Sequence, residues 1–362
     1  MSKKNIIITA CAVVGVILLV LIIPFSCLKK ELPEQSTDIS EKDYPKFQKG
    51  MTYATWNKTR YEKATSDESL EDLANTGTEY VALITTWYQD KFNSREIYAT
   101  DKTPSDEGVV HAIETIHSLG MEVMLKPHLD ILDRSQGRWR GEIDFATSKE
   151  WEKWFESYSI FILNYAKIAA DNEVEMFCIG TELTYPATVH NDKWRELIKA
   201  IKEIYSGKLT YAANWNEEYM LIEFWDLLDY AGIDPYFPLS QEDDPSLEQI
   251  KQGWVQWVEE IEAWQKKIDK PVIFTECGYA SILGTAKKPW DCDNKKPISL
   301  ELQKKCYKAL IETFDDKDWF YGTYWWYWGT NKRMGGIKNK GFLIQNKPAL
   351  EVVKKWYAEI NK

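Results

Sequence analysis

Two glutamates, Glu182 and Glu276, each follow a short and almost entirely apolar run of residues. Runs of this length, rich in β-branched residues and bounded by turn residues, are typical of strands buried on both faces of a parallel sheet. Enzymes built on parallel sheets carry their chemistry at the carboxyl ends of the strands. Two carboxylates at such positions are the groups that cleavage of a glycosidic bond requires.

The elements that would position these glutamates form a repeated pattern. From residue 50 onward, short apolar runs alternate with longer amphipathic segments, which is typical of β/α units. Eight runs predict strands at 51–55, 80–85, 121–126, 176–179, 209–213, 230–233, 272–275 and 320–326. Helices are predicted near 65–77, 105–120, 149–170, 192–205, 217–228, 246–268, 298–314 and 348–360. This pattern predicts an α/β fold, a (β/α)8 TIM barrel; the alternative, a doubly wound open sheet, lacks its Gly-rich phosphate loop after the first strand.

In a barrel of this kind, the residues that follow each strand converge on one mouth. These residues are rich in carboxylates, amides and aromatic rings and contain no cluster of metal ligands. We therefore predict a carbohydrate site. Its substrate contacts are predicted to come from Trp56, Trp87, Lys126, His128, Asn214, Trp215, Asp234, Tyr236, Tyr279 and Trp326.

The two glutamates would end strands 4 and 7, which lie across the barrel mouth from each other. Carboxyl groups at these positions can approach to about 5–5.5 Å, the separation used for retaining hydrolysis by double displacement. We therefore predict that Glu182 is the general acid/base and that Glu276 is the nucleophile. Taken singly, each glutamate could instead be a loop-end carboxylate or a helix cap.

Several of the other predicted site residues have a structural alternative. Lys126 and His128 alternate along strand 3, so they either bind sugar hydroxyls or form a salt bridge beneath the site. If strand 8 is regular, Trp326 and Trp328 face inward, and Trp326 is the better candidate for the floor under the sugar. Tyr279 follows Glu276 closely and could hold its carboxylate. Trp87, Trp215 and Tyr236 either form neighbouring subsites or simply pack in the core.

Six segments of the chain resemble glycoside hydrolase family 113, within the large clan of retaining barrel glycosidases. They are residues 49–56 (KGMTYATW), 82–89 (ALITTWYQ), 125–130 (LKPHLD), 177–183 (FCIGTEL), 273–278 (IFTECG) and 322–328 (GTYWWYW). The resemblance implies an endo-β-1,4-mannanase, or a close relative acting on another β-linked glycan, that needs no metal and no cofactor. It also implies the acid/base role for Glu182 and the nucleophile role for Glu276.

One position departs from the pattern of the clan. Much of the clan has Asn directly before the acid/base, where its amide binds the 2-hydroxyl of the sugar, and here that residue is Thr181. A hydroxyl can make one such contact, and Asn214 is a candidate for supplying an amide. Because mannose carries an axial 2-hydroxyl, substrate identity could change here.

The amino-terminal residues predict a membrane anchor. An uncharged apolar stretch from Ile6 to about Phe25 is flanked by lysines and followed by Cys27, and about 20 such residues can cross a bilayer. Residues 1–28 are predicted to be a signal anchor or a lipoprotein signal, residues 29–47 a polar linker, and residues 48–362 the barrel. Either form of anchor would place the barrel outside the cytoplasmic membrane.

Composition excludes some partners. A net charge of −11 argues against nucleic acid, and we expect a monomer whose partners are a β-linked polysaccharide or oligosaccharide and the membrane. Four histidines leave little room for a zinc site, and Cys292 and Cys306 could pair across a loop and a helix start. The 17 tryptophans suit both a core and a sugar cleft. Two alternatives stay open: a catalytically weak glycan-binding barrel at the cell surface, and a glycosidase of the same fold acting on another β-glycan.

Overall fold

The computed structural model describes residues 46–360, which form a closed barrel of eight parallel strands. The strands pair in chain order, and the first strand closes the barrel against the eighth. The strands are β1 (Gln48–Ala54), β2 (Tyr80–Gln89), β3 (Glu122–Ile131), β4 (Met176–Thr181), β5 (Lys208–Asn214), β6 (Ala231–Asp234), β7 (Val272–Cys277) and β8 (Phe320–Gly329). The predicted TIM barrel is therefore confirmed.

Helices surround the strands, and four of them begin at a polar side chain that caps the first turn. The side chains of Ser105, Thr147, Ser246 and Ser299 each accept a backbone N–H in the first turn of a helix. The helices are α1 (Ala64–Ala74), α2 (Asp106–Ser118), α3 (Ser148–Asp171), α4 (Thr184–Val189), α5 (Asn191–Ile204), α6 (Glu218–Leu221), α7 (Leu247–Ile268), α8 (Leu300–Phe314) and α9 (Pro348–Glu359).

Each strand divides its side chains between the barrel interior and the helices. Ala82 and Met124 belong to a small apolar cluster inside the barrel, whereas Val81 and Leu83 belong to the large core between strands and helices. This alternation follows from the period of two along a strand. It decides which residues at the carboxyl ends of the strands reach the mouth.

The strand β8 is not regular, so the prediction that Trp326 and Trp328 both face inward is wrong. Met51 of β1 is opposite Trp325 and Tyr53 is opposite Trp328, which gives β8 one additional residue. A bulge of this kind reverses the alternation beyond it. Trp328 consequently lies against α1, where its Nε1 donates to the carbonyl of Ser69 at 3.0 Å.

The helix predicted at 217–228 is also wrong. This segment contains the single turn α6 and a 3-10 turn at Trp225–Leu227. Ile222 between them has an extended backbone, with φ −67° and ψ 130°, so the helical hydrogen bonding ends there. Strands β2, β3 and β8 extend beyond their predicted ends. β2 and β3 stay paired with each other as far as Gln89 and Ile131, and β8 stays paired with β1 as far as Gly329.

The predicted anchor and most of the predicted linker lie outside the described residues. Within residues 46–360, no helix is both long enough and apolar enough to cross a membrane. Cys292 and Cys306 do not form the disulfide that was considered, because Cys306 is buried on α8 whereas Cys292 is exposed in the preceding loop.

Candidate active site

Glu182 directly follows β4 at the barrel mouth and is 8% exposed. Its backbone has φ +50°, a left-handed conformation that is uncommon for a residue with a side chain. The backbone N–H of Glu182 donates to the carbonyl of Ala212 at 2.8 Å. Its carboxylate accepts Nη2 of Arg140 at 2.5 Å and Nδ2 of Asn214 at 2.7 Å. The side chain is thus held by one cation and one amide.

Glu276 is the fifth residue of β7 and is 5% exposed. Its Oε1 accepts the hydroxyl of Tyr236 at 2.9 Å, and its Oε2 accepts Nζ of Lys126 at 3.2 Å. Burial, reinforced by the charge of Glu276, raises the pKa of Tyr236 well above its ordinary value, so this phenol keeps its proton and remains a donor. Glu276, like Glu182, is held by one cation and one neutral donor.

Lys126 lies beneath Glu276 and does not reach the pocket. The side chain is fully buried, and its Nζ donates to the carbonyl of Thr275 at 3.1 Å and lies 3.6 Å from Oδ1 of Asp234. Burial opposes the charge on Lys126, but Asp234 and Glu276 outweigh it and raise the pKa of Lys126. The position corresponds to the structural alternative, a salt bridge beneath the site.

Asp234 is also fully buried and is therefore not exposed to a sugar. Its Oδ1 accepts the hydroxyl of Thr275 at 2.7 Å. Burial raises the pKa of Asp234 well above its ordinary value, although Lys126 draws it down. Lys126 thus lies between two carboxyl groups, those of Asp234 and Glu276.

The rings of His128 and Trp326 lie against each other near the barrel mouth. Their rings are stacked with centroids 6.2 Å apart and an interplanar angle of 10°. Burial, and then the charges of Lys126 and Arg140, lower the pKa of His128 well below its ordinary value, so the imidazole is neutral. Its Nε2 is buried without a hydrogen-bond partner among the described residues.

Arg140 was not predicted from the sequence, and it comes from a loop between β3 and α3. Burial disfavours its charge, but the carboxylates of Glu182, Asp130 and Glu276 outweigh this effect and raise its pKa. Arg140 therefore stays cationic beside Glu182. The only sequence signal was a pair of arginines flanking Trp139 in an otherwise acidic chain.

An open pocket of about 470 Å³ extends from Glu182 across the mouth. Its lining combines four predicted residues with six that were not among the predicted site residues. The predicted ones are Glu182, Asn214, Trp215 and Tyr236, and the others are Asp130, Arg134, Trp139, Arg140, Asn216 and Trp290. Trp215 stacks on the exposed Trp290 at 5.2 Å with an interplanar angle of 15°. The pocket thus has an aromatic platform on the side of Glu182.

A second depression shares Asp130 and Arg134 with this pocket and continues to Trp56 on the opposite side. Trp56 is 41% exposed, and its ring meets Trp326 edge-to-face at 6.2 Å. The structure therefore brings Trp56 and Trp326 together beside the pocket, as one continuous aromatic surface.

Two predicted site residues lie away from the mouth. Trp87 is still within β2, and by alternation it faces α3, where its Nε1 donates to the hydroxyl of Tyr165 at 3.0 Å. Tyr279 lies 1% exposed against Tyr307 of α8, with no hydrogen bond to its hydroxyl among the described residues. Tyr236 makes the contact with Glu276 that was considered for Tyr279.

Thr181, the residue at the position where much of the clan has Asn, points away from the pocket. Thr181 is 1% exposed, with its hydroxyl 4.0 Å from Sγ of Cys178, so it does not face the pocket. The amide of Asn214 is present at the mouth, but its Nδ2 is already bonded to Glu182.

Among the described residues, no group of three or more His, Cys, Asp or Glu has the arrangement of a metal site.

Comparison with known proteins gives one family. The model of Glycoside Hydrolase Family 113 matches residues 51–347. A solved GH113 β-1,4-mannanase is 30% identical, with a TM-score of 0.78 over 87% of this chain and 100% of that chain. A complex structure of a GH113 β-1,4-mannanase is 29% identical, with a TM-score of 0.79 over the same shares.

A third solved structure is the GH113 β-mannanase AaManA from Alicyclobacillus acidocaldarius in complex with ManMIm. It is 28% identical, with a TM-score of 0.78 over 88% of this chain and 99% of that chain. A β-glucuronidase from Ruminococcus gnavus, 15% identical with a TM-score of 0.59 over 87% of this chain and 50% of that chain, shares the fold alone. A comparison with curated protein sequences gives no match.

Proposed function

Because the chain belongs to glycoside hydrolase family 113 and is thus a glycoside hydrolase, we propose that it is a retaining endo-β-1,4-mannanase. The observation that carries the proposal is the pair of buried glutamates at the ends of β4 and β7. Each has one cation and one neutral hydrogen-bond donor, Arg140 and Asn214 for Glu182, and Lys126 and Tyr236 for Glu276. This arrangement suits two carboxyl groups with different roles.

In the first half-reaction, Glu276 attacks the anomeric carbon and the bond to the leaving oxygen breaks. Tyr236 and Lys126 fix the orientation of the attacking carboxylate. Glu182, in its acid form, gives its proton to the leaving oxygen. The product is a glycosyl-enzyme ester on Glu276 together with the released part of the chain.

In the second half-reaction, Glu182 acts as the base. It takes a proton from water as the water oxygen attacks the anomeric carbon, and Glu276 leaves as a carboxylate. Arg140 and Asn214 stabilise the ionised form of Glu182 that this step requires, and Lys126 stabilises the departing carboxylate. Two inversions at one carbon give net retention.

The proposal of mannan as substrate is supported by the names of the similar solved structures, which are β-mannanases. The proposal of endo-action is supported by exposed aromatic rings on both sides of the glutamates. Trp290 lies on one side and Trp56 on the other, and sugar rings of a chain can stack on both. A chain bound across the mouth would be cut internally.

We also propose that the barrel works outside the cytoplasmic membrane, held there by the amino-terminal segment. The support is the apolar stretch from Ile6 to about Phe25 with its flanking lysines. Separation of cells into membrane and soluble fractions tests it. Full-length protein in the soluble cytoplasmic fraction would contradict this location.

The experiment for the function uses the protein without residues 1–45 and a panel of mannan, glucomannan, β-glucan and xylan. We expect mannan to be cut, and Glu182→Ala and Glu276→Ala to lower the rate by at least ~10³, roughly 4 kcal/mol of transition-state stabilisation. Glu217→Gln, a change at an exposed glutamate on the same rim, is the matched control and should leave the rate unchanged.

Azide distinguishes the two roles. It needs no general base, so in Glu182→Ala it should attack the glycosyl-enzyme and give a β-glycosyl azide from an activated aryl β-mannoside. In Glu276→Ala it should take the place of the nucleophile and give the α-azide. Cleavage of another glycan with the same dependence would change only the specificity, whereas sugar binding without cleavage would favour the glycan-binding alternative.

A further inference from the structure

A fully buried carboxyl group lies directly behind the acid/base and does not face the pocket. It belongs to Glu218, the first residue of α6. Its Oε2 accepts the backbone N–H of Asn214 at 2.7 Å and the hydroxyl of Thr184 at 3.0 Å. Its Oε1 accepts the hydroxyl of Tyr211 at 2.5 Å. The carboxyl group thereby joins the end of β5 to the segment that follows β4.

Each of these three partners is connected to Glu182. The side chain of Asn214 donates to Oε1 of Glu182 at 2.7 Å. The hydroxyl of Tyr211 accepts the N–H of Leu183, the next residue in the chain, at 2.9 Å. Thr184 follows Leu183 and begins α4. A displacement of Glu218 would therefore reach Glu182 in two ways. One is through Asn214, which bonds to the side chain of Glu182, and the other is through Leu183, which follows Glu182 in the chain.

The acid/base needs such support because its own backbone is unfavourable. A non-glycine residue in the left-handed region persists only where the surroundings fix it, and Glu182 has φ +50°. Burial of Glu218 is itself costly: burial, with a smaller contribution from the charge of Glu182, raises the pKa of Glu218 to about 8. A buried carboxyl group with three partners all linked to one residue has a specific structural task.

We propose that Glu218 is a positioning residue that holds Glu182 in the orientation needed to protonate the leaving oxygen. The inference rests on the function proposed above, and it assigns a second carboxyl group to the acid/base side of the site. The nucleophile is held by separate groups, Tyr236 and Lys126. Loss of Glu218 should therefore weaken proton transfer and leave nucleophilic attack intact.

The test compares two substrates that differ in their need for a proton. Mannan requires protonation of the leaving sugar oxygen, whereas a 2,4-dinitrophenyl β-glycoside of a mannose oligosaccharide releases a stable phenolate without it. We expect Glu218→Ala to lower kcat/KM on mannan by roughly 10–100-fold, the effect of a catalytic group displaced by about 1 Å. On the dinitrophenyl substrate, kcat/KM should change by less than about threefold.

Tyr211→Phe keeps the buried ring and removes only the hydroxyl, so it decides the question if Glu218→Ala does not fold. It should show the same selective loss. Glu260→Ala is the matched control, because Glu260 accepts the hydroxyl of Tyr219 without bonding to the site; both substrates should be unaffected. A parallel loss on both substrates, or no loss on either, would overturn the inference while leaving the function standing. If the parent protein cleaves neither substrate, the proposed function fails and the inference falls with it.

Discussion

At the scale of single residues, the site separates two similar carboxyl groups by giving them different neighbours. Glu276 is held from below by Lys126 and from the side by Tyr236, and both are buried. Glu182 is held by Arg140 and Asn214, which line the open pocket. A firmly held Glu276 and a Glu182 that faces the pocket are what the proposed double displacement needs.

We predict that Tyr236→Phe lowers kcat by roughly 10–100-fold, because Glu276, the proposed nucleophile, loses the donor that orients it. KM should change little, since the ring that lines the pocket is retained. Steady-state kinetics on mannan measure both constants. Tyr279→Phe is the control: its hydroxyl has no partner in the described structure, so equal losses in the two variants would show that Tyr236 has no special role.

A second residue-scale prediction concerns the pH dependence of stability. The pKa of Glu218 is about 8 in the folded protein and near 4.5 when the side chain is unperturbed. Between these values the folded state holds a proton that the unfolded state has released. This proton stabilises the folded protein fully below about pH 4.5. The stabilisation decreases as the pH rises from about 4.5 through 8, by at most about 1.4 kcal/mol per pH unit.

Glu218→Gln removes this titration and keeps the size of the side chain. The difference in melting temperature, variant minus parent, should therefore increase from pH 5 to pH 8 and become constant above that. Thermal unfolding followed by circular dichroism at several pH values gives the comparison. A difference that is the same at every pH would mean that Glu218 titrates alike in the folded and unfolded chains.

At the scale of elements, the sequence predicted the order of strands and most helices, because buried parallel strands appear as separate apolar runs. It also predicted that Glu182 and Glu276 lie at the carboxyl ends of β4 and β7, since each directly follows an apolar run. The ends of long strands were harder to predict. The strand β2 continues through polar residues to Gln89, so Trp87, which was predicted at the mouth, lies within the strand and faces α3. A bulge such as that in β8 has no clear sequence signal.

Loop residues were missed for a related reason. Arg140 and Trp290 reach the pocket from loops with no periodic pattern, so nothing in the sequence indicates where their side chains point. Glu218 lies in a segment that was predicted as a regular helix. Its inward orientation depends on contacts with β5 and with the start of α4 that only the folded chain contains.

We predict that Gly253→Ala destabilises the barrel although it lies within α7. Alanine normally stabilises a helix by about 1 kcal/mol relative to glycine. Here a Cβ would lie 1.9 Å from the carbonyl oxygen of Leu239, so helix and loop would have to separate. We expect a net loss of about 1–3 kcal/mol. The loop that would be displaced also carries Tyr236, so kcat should fall together with the melting temperature.

Gln252→Ala, at the neighbouring exposed position of the same helix, is the control and should keep both activity and melting temperature. Thermal unfolding and mannan hydrolysis are measured on the same preparations. If Gly253→Ala is as stable as the parent protein, the close contact between α7 and the loop at Leu239 is absent in solution.

At the scale of the whole molecule, the barrel is complete without the amino-terminal segment. The strand β1 begins at Gln48 and closes the sheet by pairing with β8. Phe47, the residue before it, is buried against Phe320 and Trp356. The part of the chain needed for folding should therefore begin just before Phe47.

We predict that a protein lacking residues 1–45 is a soluble monomer with the melting temperature and mannan activity of the detergent-solubilised full-length chain. A protein lacking residues 1–48 should melt at a lower temperature, because it loses the buried ring of Phe47 and the hydrogen bond from Tyr324 to Gln48. Loss of a buried Phe typically costs about 3–5 kcal/mol. Size-exclusion chromatography and calorimetry test both variants; equal melting temperatures would place the folding boundary inside β1 instead.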